Sequence, residues 1–157
     1  MKTFWSVGQH CIACAKEAAV RGASDRTVLA CLLHDAGECY LSDVPRPVKK
    51  EMPEYRQAEA RILSAIYRRF LGSDLTGEEA RIVKEIDDAL LWYDLTFLLG
   101  EKQAEEAPVI HIDLSYEERP FAEVEKEYLD LYERYSSGIS AETQRLQAAG
   151  CRGDKKK

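Results

Sequence analysis

Residues 28–38 have the sequence VLACLLHDAGE, in which an apolar run ends abruptly in an adjacent histidine and aspartate. Removing a charged group from water is costly, so a buried helix does not normally end in His34 and Asp35 unless both side chains have a partner. A divalent metal ion would bind both and allow the apolar run to stay buried. Glu38 follows three residues after Asp35. The stretch therefore predicts a buried helix that ends at a metal site.

Composition limits what kind of protein this chain forms. Its 157 residues, 45% of them hydrophobic, predict one globular domain with a real core. The net charge of -6 argues against binding to nucleic-acid polymers or anionic membranes. We find no apolar run long enough to span a bilayer and no signal peptide, since Gln9 and His10 interrupt any apolar core near the start. A cytoplasmic location is expected, and with it five cysteines that are mostly reduced thiols.

The spacing of apolar residues predicts helix after helix, and so an all-α class. We expect a single-domain bundle of about five to six helices over residues 1–150 and a flexible basic tail over residues 151–157. Pro45 and Pro47 prevent residues 40–47 from being helical throughout. Phe97 and Phe121 are expected to face the core, and residues 109–112 could be extended. The predicted helices cover residues 6–21, 24–35, 53–71, 76–99, a stretch from 120 to about 135, and weakly 140–149.

Two further residues join His34 and Asp35 as candidate metal ligands. His10 borders the apolar face of the first predicted helix. Asp87 lies on the apolar stripe of the fourth, whereas Asp88 is turned about 100° away toward solvent. An acid on a core-facing stripe needs a partner. Two imidazoles and two carboxylates from three helices suit Mn, Co, Fe, Ni or Zn and leave positions for water and substrate.

The other chemically notable residues have simpler explanations. Cys11 and Cys14 have CxxC spacing, but no second CxxC exists, and a structural zinc site would have to recruit Cys31 or Cys39. We favour the interpretation that Cys11 and Cys14 are small apolar core residues on one helix face. We interpret His111 as structural. Tyrosines that share a face of the last long helix indicate core packing or a subunit contact, which could support a homodimer: Tyr128, Tyr132 and Tyr135.

The order and spacing of the candidate ligands resemble the HD-domain metal-dependent phosphohydrolase superfamily, whose signature is H…HD…D. The resemblance is greater to its small single-domain bacterial branch, which includes the 5′-deoxyribonucleotidases. It implies an all-α bundle that holds one divalent cation (Mn, Co, Fe, Ni, Zn or Mg) and hydrolyses a phosphate ester with a metal-activated water. The matching segments are residues 6–10, 34–38, 42–49 and 83–87, and the implied ligands are His10, His34, Asp35 and Asp87.

The resemblance also assigns roles around the metal. Glu38 matches the family's acid/base position, and Asp43 matches a loop carboxylate near the water or the sugar hydroxyl. Lys49, and less strongly Arg46, fall where a cation would contact the phosphate. Trp5 is a candidate for stacking on a base. The sequence departs from the family in one respect: relatives carry an arginine ahead of the first metal histidine, and residues 1–9 contain none.

Three functions remain open at this point. The first is hydrolysis of a small phosphate ester, above all a (deoxy)nucleoside 5′-monophosphate. The second is release of triphosphate from a (deoxy)nucleoside triphosphate, which extra cations around the pocket would favour. The third is a non-catalytic protein that binds metal or nucleotide, against which the presence of Glu38 and Asp43 argues.

Overall fold

The computed structural model describes residues 3–104 and 106–150. This part of the chain confirms the all-α prediction: it forms five helices of nine or more residues, two single-turn helices and no strand. The predicted tail, residues 151–157, lies outside the described residues. The helices are α1 (Val7–Val20), α2 (Asp25–Leu33), α3 (Glu38–Leu41), α4 (Arg46–Lys49), α5 (Pro53–Leu71), α6 (Gly77–Asp94) and α7 (Phe121–Gly150).

Helix α2 is the centre of the bundle and packs against α1, α5, α6 and α7. Residues 27–33 are all buried, so the apolar run identified in the sequence faces protein on every side. Each fully buried leucine, such as Leu29 or Leu32, contributes about 1.5–3 kcal/mol through removal of its side chain from water. The helix ends with His34 as its C-terminal cap residue. The core packing thus fixes where His34 and Asp35 emerge.

The predicted helix boundaries rest on local capping, and the structure contains these caps. The Ser24 hydroxyl accepts a hydrogen bond from the Thr27 amide at the start of α2. Thr76 and Glu79 form a reciprocal capping box at the start of α6. A π-helical turn, Leu95–Leu99, continues α6 and ends at Gly100, whose φ of 70° is left-handed. Pro45 precedes α4, and residues 42–45 are not helical, as the two prolines predicted.

The connection between the π-helical turn and α7 covers the outside of α1. Its residues Ile110, Ile112 and Leu114 pack against the core. The buried Glu17 carboxylate of α1 accepts hydrogen bonds from the backbone amides of His111 (2.9 Å) and Ile112 (3.2 Å). Residues 109–112, which could have been extended, belong to no strand. Contacts with α1 therefore hold this segment in place.

The prediction of a separate weak helix over residues 140–149 is wrong, because α7 runs without a break to Gly150. Gly138 has low intrinsic helix propensity, but it lies where α7 approaches the start of α2 most closely. A Cβ atom at this position would lie 2.2 Å from Asp25 Oδ2. The absence of a side chain at Gly138 thus allows the close contact between α7 and α2, although the glycine lies inside a continuous helix. No helix among the described residues combines the length and the apolar character that crossing a bilayer requires.

Two aromatic residues predicted to face the core do not. Phe97 is 52% exposed, because it lies in the π-helical turn, where the angular spacing of side chains differs from that of an α-helix. Its ring stacks on Tyr116 with centroids 4.6 Å apart. Phe121 is 70% exposed at the first position of α7 and meets only the edge of Phe4, 5.5 Å away. The apolar face of α7 begins one turn later, at the buried Val124.

Candidate metal centre

Helices α1 and α2 bring two histidine rings together in the interior. His10 is 8% exposed in the first turn of α1, and His34 lies at the end of α2. The centroids of their rings are 5.4 Å apart. Both positions follow from the core packing, because α1 and α2 are neighbours along their buried faces.

Two carboxylates complete the set of four predicted ligands. Asp87 of α6 places Oδ1 at 3.3 Å from His10 Nε2 and at 3.7 Å from His34 Nε2. Asp35 places Oδ2 at 3.3 Å from His34 Nε2. Asp87 faces inward and Asp88 is more exposed, as the helical spacing predicted. The structure therefore gathers all four residues at one point where α1, α2 and α6 meet.

The remaining nitrogen of each histidine is held by a hydrogen bond. His10 Nδ1 lies 2.8 Å from Asp94 Oδ2, and Asp94 Oδ1 accepts a hydrogen bond from the Tyr116 hydroxyl at 2.8 Å. His34 Nδ1 lies 2.7 Å from the Cys31 carbonyl oxygen. Since carboxylate and carbonyl oxygens only accept, both Nδ1 atoms carry the proton. In the neutral rings the lone pairs are then on Nε2, which is the arrangement typical of histidines that bind metals.

The electrostatics of this cluster favour positive charge. Burial opposes protonation of His10, but hydrogen bonds with Asp87 and Asp94 outweigh it and raise the pKa of His10 well above its ordinary value. Burial likewise opposes protonation of His34, but the Asp87 carboxylate outweighs it, so the pKa of His34 is also raised. Burial alone would raise the pKa of Asp87, yet the two histidines hold it far below its usual range. A cation bound between these groups would replace the protons.

The residues present fit a metal ion. Among the described residues, the buried His34 Nε2 makes no hydrogen bond, although the Asp35 and Asp87 carboxylates lie within 4 Å of it, which leaves its lone pair available to a metal ion. Two groups of described residues could hold an ion, with ligand atoms within 4.8 Å of one another: His10, Cys14 and His34, and Cys11, His34 and Asp35. Imidazole, carboxylate and thiol are all metal ligands in proteins. His34 belongs to both groups, so it lies at the centre of the site.

Glu38 and Asp43, the predicted catalytic pair, lie beside this centre. Glu38 begins α3, and Asp43 lies in the loop that follows. Burial, then the charges of Asp35 and Asp43, raise the pKa of Glu38 to about 7, against an opposing effect of Lys49. Proximity to the Asp43 carboxyl group is thus one of the causes of the raised pKa of Glu38. The Glu38 carboxyl group is thus poised to gain or lose a proton near neutral pH.

A cleft of about 880 Å³ leads to the metal ligands, with His34, Asp35 and Asp87 in its wall. Five cations line it, against the three acids Asp35, Asp74 and Asp87. The cations come from α4, α5, α6 and the turn after α4: Arg46, Lys49, Lys50, Arg56 and Lys84. The Arg46 guanidinium is half exposed and contacts Asp87 Oδ2 and Asp88 Oδ1, each at 2.7 Å. Lys49 pairs with Glu59 at 2.6 Å. The cleft therefore carries positive charge although the chain as a whole is acidic.

The structure does not bring Trp5 to this cleft. Its ring packs against Tyr116, with centroids 4.8 Å apart, and lines a separate cavity with residues of α1 and of the connection before α7. Tyr116 in turn donates to Asp94. Trp5 therefore packs behind His10, against the ring of Tyr116, which donates to Asp94. Since Trp5 lies outside the cleft, this geometry does not support the expectation that it stacks on a base.

Two residues near the histidines were missed by sequence reasoning, although both carry a spacing signal. Asp94 lies seven residues after Asp87, two helical turns along the same face of α6. Cys14 lies four residues after His10 on α1, and its Sγ is 3.4 Å from His10 Nε2. In each case a residue one or two turns from a candidate ligand shares its face. The sequence interpretation of Cys14 as a small core residue agrees with its burial but not with this contact.

Comparison with known proteins gives limited information. No protein-family model matches the chain, and no solved structure matches it. A curated relative from Escherichia coli (strain K12), described as "Uncharacterized protein YfdR", is 33% identical over 67 residues. The match covers 43% of this chain and 35% of that protein, so it spans about a third of the relative's length.

Proposed function

We propose that the protein is a metal-dependent phosphohydrolase acting on a small phosphate ester, above all a (deoxy)nucleoside 5′-monophosphate. One observation carries the proposal. Two histidine Nε2 atoms and the Asp87 carboxylate converge beside a cleft lined by cations. The first feature suits a metal ion and the second suits a phosphate, and together they form the combination that metal-assisted phosphate hydrolysis needs.

His10, His34, Asp35 and Asp87 would hold the ion, one divalent cation of the group Mn, Co, Fe, Ni, Zn and Mg. Such an ion lowers the pKa of bound water and polarises a phosphoryl oxygen. Asp94 and the Cys31 carbonyl keep the two imidazoles oriented by accepting from Nδ1. This orientation matters because mutation of such supporting groups usually costs a site 10–100-fold in affinity or activity, as an order of magnitude.

Glu38 and Asp43 supply the proton transfer in this proposal. With a pKa of about 7, Glu38 exists in both protonation states near neutral pH. It accepts a proton from the attacking water and returns one to the leaving oxygen, and the nearby Asp43 helps to keep its pKa near neutral. Positioned acid/base groups of this kind typically contribute about 10²–10⁴-fold to the rate.

The cleft supplies the phosphate contacts. Within the part of the chain that the structure describes, Arg46 and Lys49 are paired with acids, whereas Lys50 and Arg56 make no ion pair. Lys50 and Arg56 can therefore receive a phosphate without giving up an acidic partner. In this proposal they take the place of the arginine that relatives carry ahead of the first metal histidine.

An apolar cavity of about 490 Å³ meets the cleft at Asp35 and would take the remainder of the substrate. Its wall combines apolar side chains with the predicted catalytic carboxylates Glu38 and Asp43. A nucleoside has a matching character, since it joins a flat, weakly polar base to a hydroxyl-bearing sugar. The apolar side chains include Val7, Cys11, Ala36 and Tyr128.

The five cations around the cleft favour a second candidate, hydrolysis of (deoxy)nucleoside triphosphates to triphosphate. A triphosphate carries more negative charge than a monophosphate and would occupy more of the cleft. The two reactions give different products, so the test is direct.

The deciding experiment supplies metal-stripped protein with Mn, Co, Zn or Mg and a panel of nucleoside mono- and triphosphates. Orthophosphate released from monophosphates supports the first proposal, and triphosphate released from triphosphates supports the second. Glu38→Gln should retain the metal and lose about 10²–10⁴-fold in turnover, while Glu51→Gln, on the exposed turn after α4, should not change it. Metal binding without turnover on any substrate would contradict both and favour a binding role.

A further inference from the structure

Cys14 has a position that its burial in the core does not require. The side chain is 1% exposed and lies one helical turn after His10 on α1. Its Sγ is 3.4 Å from His10 Nε2. The ligand atoms of His10, Cys14 and His34 all lie within 4.8 Å of one another. A thiol is thus part of the cluster where the two imidazoles meet.

The direction of the contact matters as much as its length. Cys14 Sγ and Asp87 Oδ1 both lie in the hydrogen-bonding direction of His10 Nε2, at 3.4 Å and 3.3 Å. The opposite nitrogen, Nδ1, is held by Asp94. The lone pair of neutral His10 therefore points between the sulfur and the carboxylate oxygen, where a shared ion would lie.

The distances agree with metal coordination. Zinc–sulfur bonds of about 2.3 Å and zinc–nitrogen bonds of about 2.0 Å place the two ligand atoms about 3.5 Å apart along an edge of a tetrahedron. A nitrogen and an oxygen ligand are about 3.3 Å apart on the same basis. The spacings of 3.4 Å and 3.3 Å around His10 Nε2 match both edges.

Cys11 provides the contrast. It is equally buried on the same helix, but its Sγ lies 3.9 Å from His34 Nδ1, the nitrogen that donates to the Cys31 carbonyl. It therefore approaches the side of the His34 ring that is already paired, while Cys14 approaches the metal-facing side of His10. Cys11 belongs to the second group that could hold an ion, with His34 and Asp35. The two cysteines are therefore rival thiol ligands that differ in orientation but hardly in burial, and serine variants of each can tell them apart.

We propose that Cys14 is a thiolate ligand of the metal centre, and that it makes the site selective for a borderline ion such as Zn²⁺ or Co²⁺ over Mn²⁺ and Mg²⁺. The thiol proton passes to solvent as the ion binds. Soft thiolate ligands favour zinc and cobalt, whereas magnesium and manganese prefer oxygen. This inference rests on the metal centre of the proposed function but not on hydrolysis.

The test is a titration of metal-stripped protein with Co²⁺. Wild type and Cys11→Ser should show the near-ultraviolet charge-transfer band of a cobalt–thiolate bond, together with the visible bands of bound cobalt. Cys14→Ser should lose the charge-transfer band. A band that persists in folded Cys14→Ser, or visible cobalt bands without it in wild type, would overturn the inference.

A second measurement needs no variant and so does not depend on whether Cys14→Ser folds. X-ray absorption of the zinc-loaded wild type should show one sulfur at about 2.3 Å from the metal. A shell of nitrogen and oxygen alone would overturn the thiolate ligand even if the protein hydrolyses phosphate esters. Sulfur in the shell without any hydrolysis would support the ligand and contradict the phosphohydrolase.

Discussion

Helix α1 contributes to two histidine–carboxylate clusters that differ in how completely their polar atoms are paired. In the closed cluster, Glu17, Arg21 and His111, both oxygens of the buried carboxylate are saturated. Glu17 Oε1 accepts from Arg21 Nε (2.7 Å) and His111 Nδ1 (2.8 Å), and Oε2 accepts from two backbone amides. In the open cluster, His10, His34, Asp35 and Asp87, the buried His34 Nε2 has no hydrogen bond.

The comparison shows that pairing, more than residue type, separates a structural cluster from a candidate site. Glu17 has 0% exposure and yet needs nothing further, because each oxygen has two donors. The acids of the open cluster are less buried than Glu17, and the cluster borders a cleft. We therefore expect the closed cluster to determine stability and the open cluster to determine metal binding. The predictions below test that separation.

The largest effect is expected at Asp87, whose Oδ1 lies within 3.7 Å of both histidine Nε2 atoms. Asp87→Asn removes the negative charge that both imidazoles share, so metal affinity should fall by more than about 100-fold. Equilibrium dialysis with metal quantification measures the change. Asp88→Asn is the matched control, since Asp88 contacts the same Arg46 but faces away from the histidines. Equal losses in both variants would mean that the Arg46 contact, and not ligation, is measured.

A smaller effect is expected at Asp94, which holds His10 Nδ1 from behind. Asp94→Asn should weaken metal binding by about 10–100-fold, because a neutral amide replaces the charged carboxylate that accepts from His10 Nδ1 and orients the ring. Tyr116→Phe removes only the hydroxyl that donates to Asp94 and should cost less. Metal affinities of the two variants give the order. A greater loss in Tyr116→Phe would contradict the chain of contacts from Tyr116 through Asp94 to His10.

In the closed cluster we expect a loss of stability without a loss of metal. Glu17→Gln replaces one carboxylate oxygen by an NH2 group, which cannot accept the two hydrogen bonds made there, so the free energy of unfolding should fall by about 2 kcal/mol. Urea denaturation measures it. Glu85→Gln is the control, because Glu85 contacts the same Arg21 at an exposed position and should change stability much less. Unchanged metal affinity in Glu17→Gln is part of the prediction.

The smallest effect concerns pH. Burial raises the pKa of Glu17, but hydrogen bonds from His111 and Arg21 outweigh it, so the folded-state pKa lies below the ordinary 4.5. The ionised form therefore favours folding. This stabilisation is present above about pH 4.5 and is lost as pH falls through the lower folded-state value. The stability difference between wild type and Glu17→Gln should accordingly shrink in acid; a difference that grows there would contradict the assignment.

Much of the open cluster could be predicted from the sequence because the signals for its residues are local. Helical spacing placed Asp87 inward and Asp88 outward, and the apolar run of α2 required a partner for His34 and Asp35. The resemblance to a known signature joined these residues to His10. Asp94 was missed even though it lies two whole turns from Asp87, and Cys14 was considered only for a CxxC zinc site and not for its place one turn after His10.

The closed cluster and the aromatic residues depended on contacts between distant segments, which spacing does not reveal. Glu17 meets His111 across 94 residues of sequence. Trp5 packs on Tyr116, which belongs to a connection without regular structure, so no periodicity indicated its position. The π-helical turn shifted Phe97 out of the predicted face. The close approach of Gly138 to Asp25 is likewise a contact between distant segments.

The most direct test of the central claim is anomalous X-ray scattering from crystals grown with Zn²⁺ or Co²⁺. The account predicts one strong peak between His10 Nε2, His34 Nε2 and Asp87 Oδ1, at about 2.0–2.3 Å from the atoms that bind the ion. The same crystals of His34→Ala should lose the peak. A peak elsewhere, or one that survives in His34→Ala at full strength, would contradict the metal centre on which the proposed function rests.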